Sequence, residues 1–189
     1  MADEAPDFAM KSMEGFGFGV KPFLDQGQIA VVDCYSQRSG TKSVSKFAAS
    51  PDNLNQVCVV VEKARKSFPK VRLVMDSVTS LVMNLPPAQG QRVMQIIASR
   101  VRQTGTGVLI MEEGIPDPAF LNFFRYIFDG VFEMKIVDSE QGLQRYFRVF
   151  SLKGAKHSSA WVPYTVTETG IRFEEERVKV ATGMKEEGR

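Results

Sequence analysis

Three short apolar runs, separated by stretches with helical periodicity, set the fold of this chain before any single motif is considered. Gln28–Tyr35 (QIAVVDCY), Val71–Asp76 (VRLVMD) and Gly107–Met111 (GVLIM) read as buried strands. From Asn53, Leu54, Val57, Cys58, Val61 and Ala64 recur at three- and four-residue steps, behind a capping Asp52 or Asn53. Val93, Ile96, Ile97 and Val101 place one apolar face on a second helix, Gln89–Gln103, which Thr104-Gly105 ends. Ser77–Asn84 reads as a shorter helix stopped by Pro86 and Pro87. Strands that alternate with helices make a parallel sheet with helices on its faces.

The ends of the chain have a different character. Met1–Phe18 reads as a short helix followed by a bend at Gly15, Gly17 and Gly19, and Ser36–Ser50 as a mobile polar loop. After the loop Glu112–Pro118, Phe120, Leu121, Phe124, Ile127 and Phe128 mark an aromatic-rich helix. Beyond Gly130 the pattern becomes Val131–Val137, Gln144–Leu152, Trp161–Val166 and Ile171–Glu174, strands joined by the turns Asp138–Gly142 and Thr167–Gly170. The expectation is one α/β domain over 1–174, a mostly parallel sheet flanked by helices with a C-terminal antiparallel hairpin extension. A charged, flexible tail follows over 175–189.

Composition removes several functions. Lys and Arg number 24 against 22 Asp and Glu, a net charge of +2, too small to argue by itself for nucleic acid. His157 is the single histidine, which excludes a multi-histidine metal centre, and no Gly-x-Ser-x-Gly elbow supports a serine triad. Cys34 and Cys58 sit in apolar surroundings without metal-ligand spacing, as reduced cysteines of a cytoplasmic protein do. No apolar run approaches the length of a membrane span.

Asp76 is the sharpest chemical feature. An acid closing an apolar strand lies on the sheet edge where ligands of open α/β folds gather, and in P-loop enzymes such an aspartate holds nucleotide-bound magnesium. The same residue could equally cap the helix at Ser77. What should accompany a magnesium ligand is absent: nowhere does Gly-Lys-Ser or Gly-Lys-Thr occur, and Gly15–Gly19 lacks both the preceding strand and the lysine. Glu112-Glu113 reads as a solvated loop start rather than a base. Lys153, Lys156 and His157, with Arg145 and Arg148, read either as a phosphate contact or as an ordinary exposed hairpin edge.

Met10–Ser36, Val71–Leu81, Gly105–Glu113 and Asp129–Phe173 with its LKGAKH core, in this order and spacing, resemble the C-terminal two-thirds of a KaiC-type domain in the RecA–RadA superfamily of ATPases. The resemblance implies a RecA-like sheet whose first strand, P-loop and following helix are missing, with Met1 falling inside the second strand. By the same resemblance Asp76 matches the Walker B aspartate. Asp3-Glu4 matches the acidic pair that includes the water-activating glutamate, and Glu112-Glu113 does not match it. Ser151-Leu152-Lys153-Gly154 and His157 stand where the family's Lys-x-Arg-Gly segment reaches the nucleotide of a neighbouring subunit, with lysine in place of arginine.

The resemblance therefore implies a KaiC-like module without a Walker A loop, inactive alone and acting through self-association or association with an intact RecA-type ATPase. No cofactor is expected for this chain, against Mg-ATP in the parent family. The alternatives are a fragment of a complete ATPase whose P-loop lies upstream of Met1, and a DNA-binding recombinase accessory.

Overall fold

The computed structural model describes residues 1–140 and 142–173, which form two compact units, Met1–Ile127 and the described part of Phe128–Arg189. In chain order the first unit contains α1 (Pro6–Gly15), α2 (Lys21–Asp25), β1 (Val32–Asp33), α3 (Tyr35–Arg38), β2 (Phe47–Ala48), α4 (Leu54–Arg65) and β3 (Val71–Met75). It continues with α5 (Thr79–Val82), α6 (Pro87–Thr104), β4 (Gly105–Leu109) and α7 (Pro118–Ile127). The second holds β5 (Gly130–Ser139), β6 (Gly142–Leu152), β7 (Val162–Thr167) and β8 (Gly170–Phe173). The expected tail, 175–189, lies outside the described residues.

In the first unit β1 pairs with β2 and β3 with β4, both in parallel. The first two residues join these ladders. Met1 N donates to Val32 O (2.9 Å), Cys34 N donates to Met1 O (2.9 Å), and Ala2 N donates to Asp76 O (2.9 Å). The hydrogen-bonded order is thus β2, β1, Met1–Ala2, β3, β4. This corrects the helix expected from Met1: the helix begins only at Pro6, and the residues before it belong to the sheet, as the family resemblance implied. Pro6 suits a helix start because its missing N–H would have no partner there.

Two further expectations change. The strand over Gln28–Tyr35 shrinks to Val32–Asp33, because Gln28 and Ile29 turn their N–H groups back to Phe23 O and Tyr35 already opens α3. Ser36–Ser50 is not without structure, since it carries most of α3 and all of β2. The helix α2 was not anticipated. Elsewhere the periodicity holds: Asn53 caps α4 by accepting from Gln56 N (3.0 Å), and Val57 and Ala64 face inward.

The core of this unit gathers Met94 and Val78, both fully buried, with Ala49, Val57, Leu81 and Phe120. Burying side chains of this size contributes about 1.5–3 kcal/mol each for the larger ones. The buried face of α6 is Gly90, Met94, Ile97 and Ala98, whereas Ile96, expected on that face, is 45% exposed.

The second unit is an antiparallel meander, β5-β6-β7-β8, with Gly142 and Gly170 in the left-handed region at its tight turns. Pleating divides its side chains. One face stacks Phe132 on Phe147 (5.7 Å between centroids) and Phe147 against Phe173 (5.5 Å). On the other, Lys135 and Arg148 lie over the Trp161 ring, at 4.1 and 4.5 Å, and Arg148 pairs with Glu133 (2.6 Å).

No linker separates α6 from β4: Thr104 is the last helical residue, and Gly105 already pairs with Val71. A Cβ on Gly105 would lie 1.8 Å from Val71 O, a backbone atom that cannot swing aside. Gly105→Ala is therefore expected to lower stability by about 3 kcal/mol, the upper end for overpacking, read as a shifted midpoint in urea unfolding. An unchanged midpoint would mean that β3 and β4 do not approach each other in this way.

Candidate functional site

Parallel strands deliver all their C-terminal ends to one sheet edge, so the residue after each strand meets its counterparts there. At four of the five strand ends of this unit an acid stands: Asp33 closes β1, Asp3 follows the Met1–Ala2 segment, Asp76 follows β3, and Glu112 follows the extension of β4, while β2 ends in Ala48-Ala49. That extension is real pairing, with Ile110 N donating to Met75 O (3.0 Å) and Val78 N to Ile110 O (2.8 Å). Glu112 is then fixed through its own N–H, which donates to Thr79 Oγ1 (2.9 Å).

Asp3 is occupied by the protein. Its carboxylate accepts from Ser77 N (2.7 Å) and from the Ser80 hydroxyl, so it caps the turn that follows β3. Burial alone would raise its pKa. The hydrogen bonds from Ser80 and Ser77, and the nearby Arg38 guanidinium, outweigh this and hold it below the ordinary carboxylate value. Glu4, beside it, is half-buried.

Asp76 is different. Its side chain makes no hydrogen bond to a described residue, and the peptide that joins it to Ser77 is cis. The reading of Asp76 as a helix cap is not realised: Val78 stands at the N-cap of α5, and the first-turn N–H of Ser80 is met by Ser77 Oγ (3.4 Å) instead. Partial burial, then the charges of Asp3 and Glu112, push the Asp76 carboxyl above its ordinary value. Glu113 turns instead toward Arg125 (3.3 Å). Among the described residues no three acidic, imidazole or thiol groups form a set that could hold a metal ion. Asp76 thus offers an unclaimed carboxylate, as Glu112 does near it, and a cation there would take its other ligands from water or from a bound molecule.

Asp33 carries a role that sequence reading missed. It is fully buried and accepts from Tyr35 N (3.0 Å), Ser36 N (3.0 Å), Ser36 Oγ (2.6 Å) and Ser43 Oγ (2.5 Å). Burial would raise its carboxyl, but these donors together hold it below the usual value. The available signal was an acid inside an apolar run, QIAVVDCY, followed by a serine-rich stretch. A buried charge survives only with such donors.

Lys153 and His157 sit together on the β6–β7 connection of the second unit, exposed, with Lys156 beside them. Lys153 N donates to Asp129 O (2.8 Å), and His157 Nδ1 lies 3.1 Å from Ala155 O. The structure thus brings Asp3, Asp76 and Glu112 to one edge of the first unit, and groups Lys153, Lys156 and His157 on one connection of the second.

Residues 2–178 match the family model described as "ATPase: KaiC". A UPF0273 protein of Methanopyrus kandleri is 27% identical over 186 residues, which is 94% of this chain and 72% of that protein. The circadian clock oscillator protein KaiC of Synechococcus elongatus is 21% identical over 90% of this chain and 33% of its own length. Among solved structures, a KaiC-like protein of the archaeon Pyrococcus horikoshii superposes with a TM-score of 0.71 at 19% identity, over 91% of this chain and 73% of that one. This last likeness shows the shared α/β fold.

Asp3 and Asp76 should respond oppositely to substitution. Asp3→Ala strips the acceptor from the Ser77 N–H and is expected to cost about 1–2 kcal/mol in urea unfolding. Asp76→Asn removes a charge that the folded state disfavours, so its midpoint should equal or exceed the parent's. Because the folded pKa of Asp76 is raised, the parent loses stability as pH rises through that value. The advantage of the asparagine variant should therefore be absent in acid and present near neutrality. Equal losses in both variants would mean that Asp76 is a structural carboxylate.

Proposed function

The chain belongs to the KaiC ATPase family, and we propose that it is a module that keeps the cation-facing edge of that family's site without the loop that holds phosphates. The observation that carries this reading is the unclaimed, half-buried Asp76 carboxylate, placed near the strand-end acids Asp3 and Glu112, in a sequence with no Gly-Lys-Ser or Gly-Lys-Thr. In KaiC-type ATPases magnesium would neutralise the charge that builds on the transferred phosphoryl group. The donor set fits part of that task. A lone carboxylate suits magnesium that keeps water and phosphate ligands, and Asp76 would be its protein ligand. Asp3 cannot act as a free base while Ser77 and Ser80 occupy it, so its part is to fix the turn next to Asp76. Glu4, half-buried and with no hydrogen bond to a described residue, is the member of the pair left to orient water. Lys153 and His157 would be the phosphate-facing side chains of the second unit, as the resemblance assigns them.

A nucleotide's phosphates normally receive backbone N–H groups and a lysine from the P-loop, and these supply most of the recognition. Isothermal titration of the whole chain with Mg-ATP is expected to show no binding at millimolar concentration, and assays no phosphate release above background. Micromolar binding that Asp76→Ala abolishes would overturn this reading.

The module then works through assembly with a second copy or with an intact RecA-type ATPase. Support comes from β4, which among the described residues has a strand partner on one side only, with Val108 and Ile110 exposed at 55% and 42%. An open strand edge with apolar side chains invites pairing. Light scattering behind a sizing column at tens of micromolar should show a dimer or larger species, little affected by salt because apolar burial holds it. Val108→Lys should shift it toward monomer. A cleanly monomeric parent would contradict the proposal.

A further inference from the structure

The second unit ends on one side in an open strand. Among the described residues β5 pairs with β6 alone, along its whole length from Gly130 to Ser139, and its other edge meets no strand. Open edges are ordinarily defended by charged side chains. Here the two charges in the middle of the strand are drawn over their own sheet instead. Glu133 is held by Arg148 (2.6 Å), which leaves its side chain largely shielded from solvent. Lys135 lies over the Trp161 and Tyr146 rings (4.1 and 5.6 Å). The opposite face of β5 carries Phe132, Met134 and Ile136, each more than half exposed. The backbone edge and the adjoining apolar face thus both invite a partner.

We propose that β5 is a self-pairing surface: two copies of the chain join edge to edge through antiparallel β5 strands, related by a two-fold axis at Met134. The contact rests on the reading of self-association given above, lies on the second unit, and is separate from the β4 edge. Charge selects its register. With Met134 on the axis, Glu133 stands opposite the partner's Lys135, Phe132 opposite the partner's Ile136, and Val131 opposite the partner's Val137. Opposite charges in directly facing positions stabilise a strand pair, and like charges destabilise it. Sliding the strands by two residues sets either Glu133 or Lys135 against its own copy. Sliding them by one puts the apolar face of one sheet on the same side as the charged face of the other. Of these registers, the one at Met134 alone matches Glu133 with Lys135 and keeps the face of Phe132, Met134 and Ile136 continuous across both sheets. Each copy offers the same patch, so the pairing closes as a dimer and does not propagate.

The test is crosslinking of the whole chain, because only a residue on the axis faces its own copy. Facing Cα atoms in antiparallel strands lie about 4.5–5.5 Å apart, within disulfide reach. With oxidised glutathione, Met134→Cys should form a disulfide-linked dimer well above the level in the parent, which carries Cys34 and Cys58. Ile136→Cys should not, since its two copies then lie about 13 Å apart along the strands. Charge reversal gives a second readout. Glu133→Lys and Lys135→Glu should each weaken self-association by roughly tenfold in light scattering behind a sizing column. An equimolar mixture of the two variants, in which the facing charges are again opposite, should restore it. Restoration also shows that both variants fold, although Glu133→Lys loses its contact with Arg148. Equal crosslinking at the two positions, crosslinking at neither, or no restoration on mixing would overturn the assignment to β5 and leave self-association itself standing. A monomeric parent would remove both, so the two failures are distinguishable.

Discussion

Three backbone hydrogen bonds from Met1 and Ala2 hold the first unit together as one sheet. Met1 bonds Val32 and Cys34 on one side, Ala2 bonds Asp76 on the other, and without them β1–β2 and β3–β4 are separate two-stranded ladders. Two-stranded ladders are marginal by themselves. Everything at the functional edge follows from this insertion. Asp3 reaches Ser77 and Ser80 only because the segment before it runs between β1 and β3, and Asp33 lies in the sheet interior only because Met1 covers one side of β1.

The same constraint explains why the strand-end acids behave so differently. Asp33 and Asp3 both receive hydrogen bonds that outweigh the cost of burial, and each ends below the ordinary carboxylate value. Asp76 receives none, so partial burial, and then the charges of Asp3 and Glu112, leave it above that value. One residue type at equivalent strand ends thus supplies two structural anchors and one open group. Donor geometry decides which is which.

Much of the architecture was legible. Alternating strands and helices, the Asn53 cap, and the turns before β6 and β8 follow from local patterns, because helix and turn signals depend on neighbours within a few residues. The errors have a common origin. Met1–Ala2 read as helix because two residues carry no period of their own. Ser36–Ser50 read as an unstructured loop because its order comes from Asp33, through hydroxyl contacts that have no hydropathy signature. Ile96 fell on the wrong face because the buried stripe of α6 centres on Met94 and Ala98, each two residues and so roughly half a helical turn away from Ile96.

For the candidate site, the sequence alone singled out Asp76, because a strand-ending acid is a local signature, and it established that no phosphate-binding loop motif occurs in these residues. It also made Asp3 and Glu4 visible through family resemblance. Only the tertiary structure decided that Asp3 is engaged while Asp76 is free, that Glu112 adds its charge to Asp76 while Glu113 turns to Arg125, and that Asp33 and Arg38 connect to the same edge. Those outcomes depend on which donors lie within about 3 Å of each oxygen. Such distances join residues up to 77 positions apart, which no local pattern encodes.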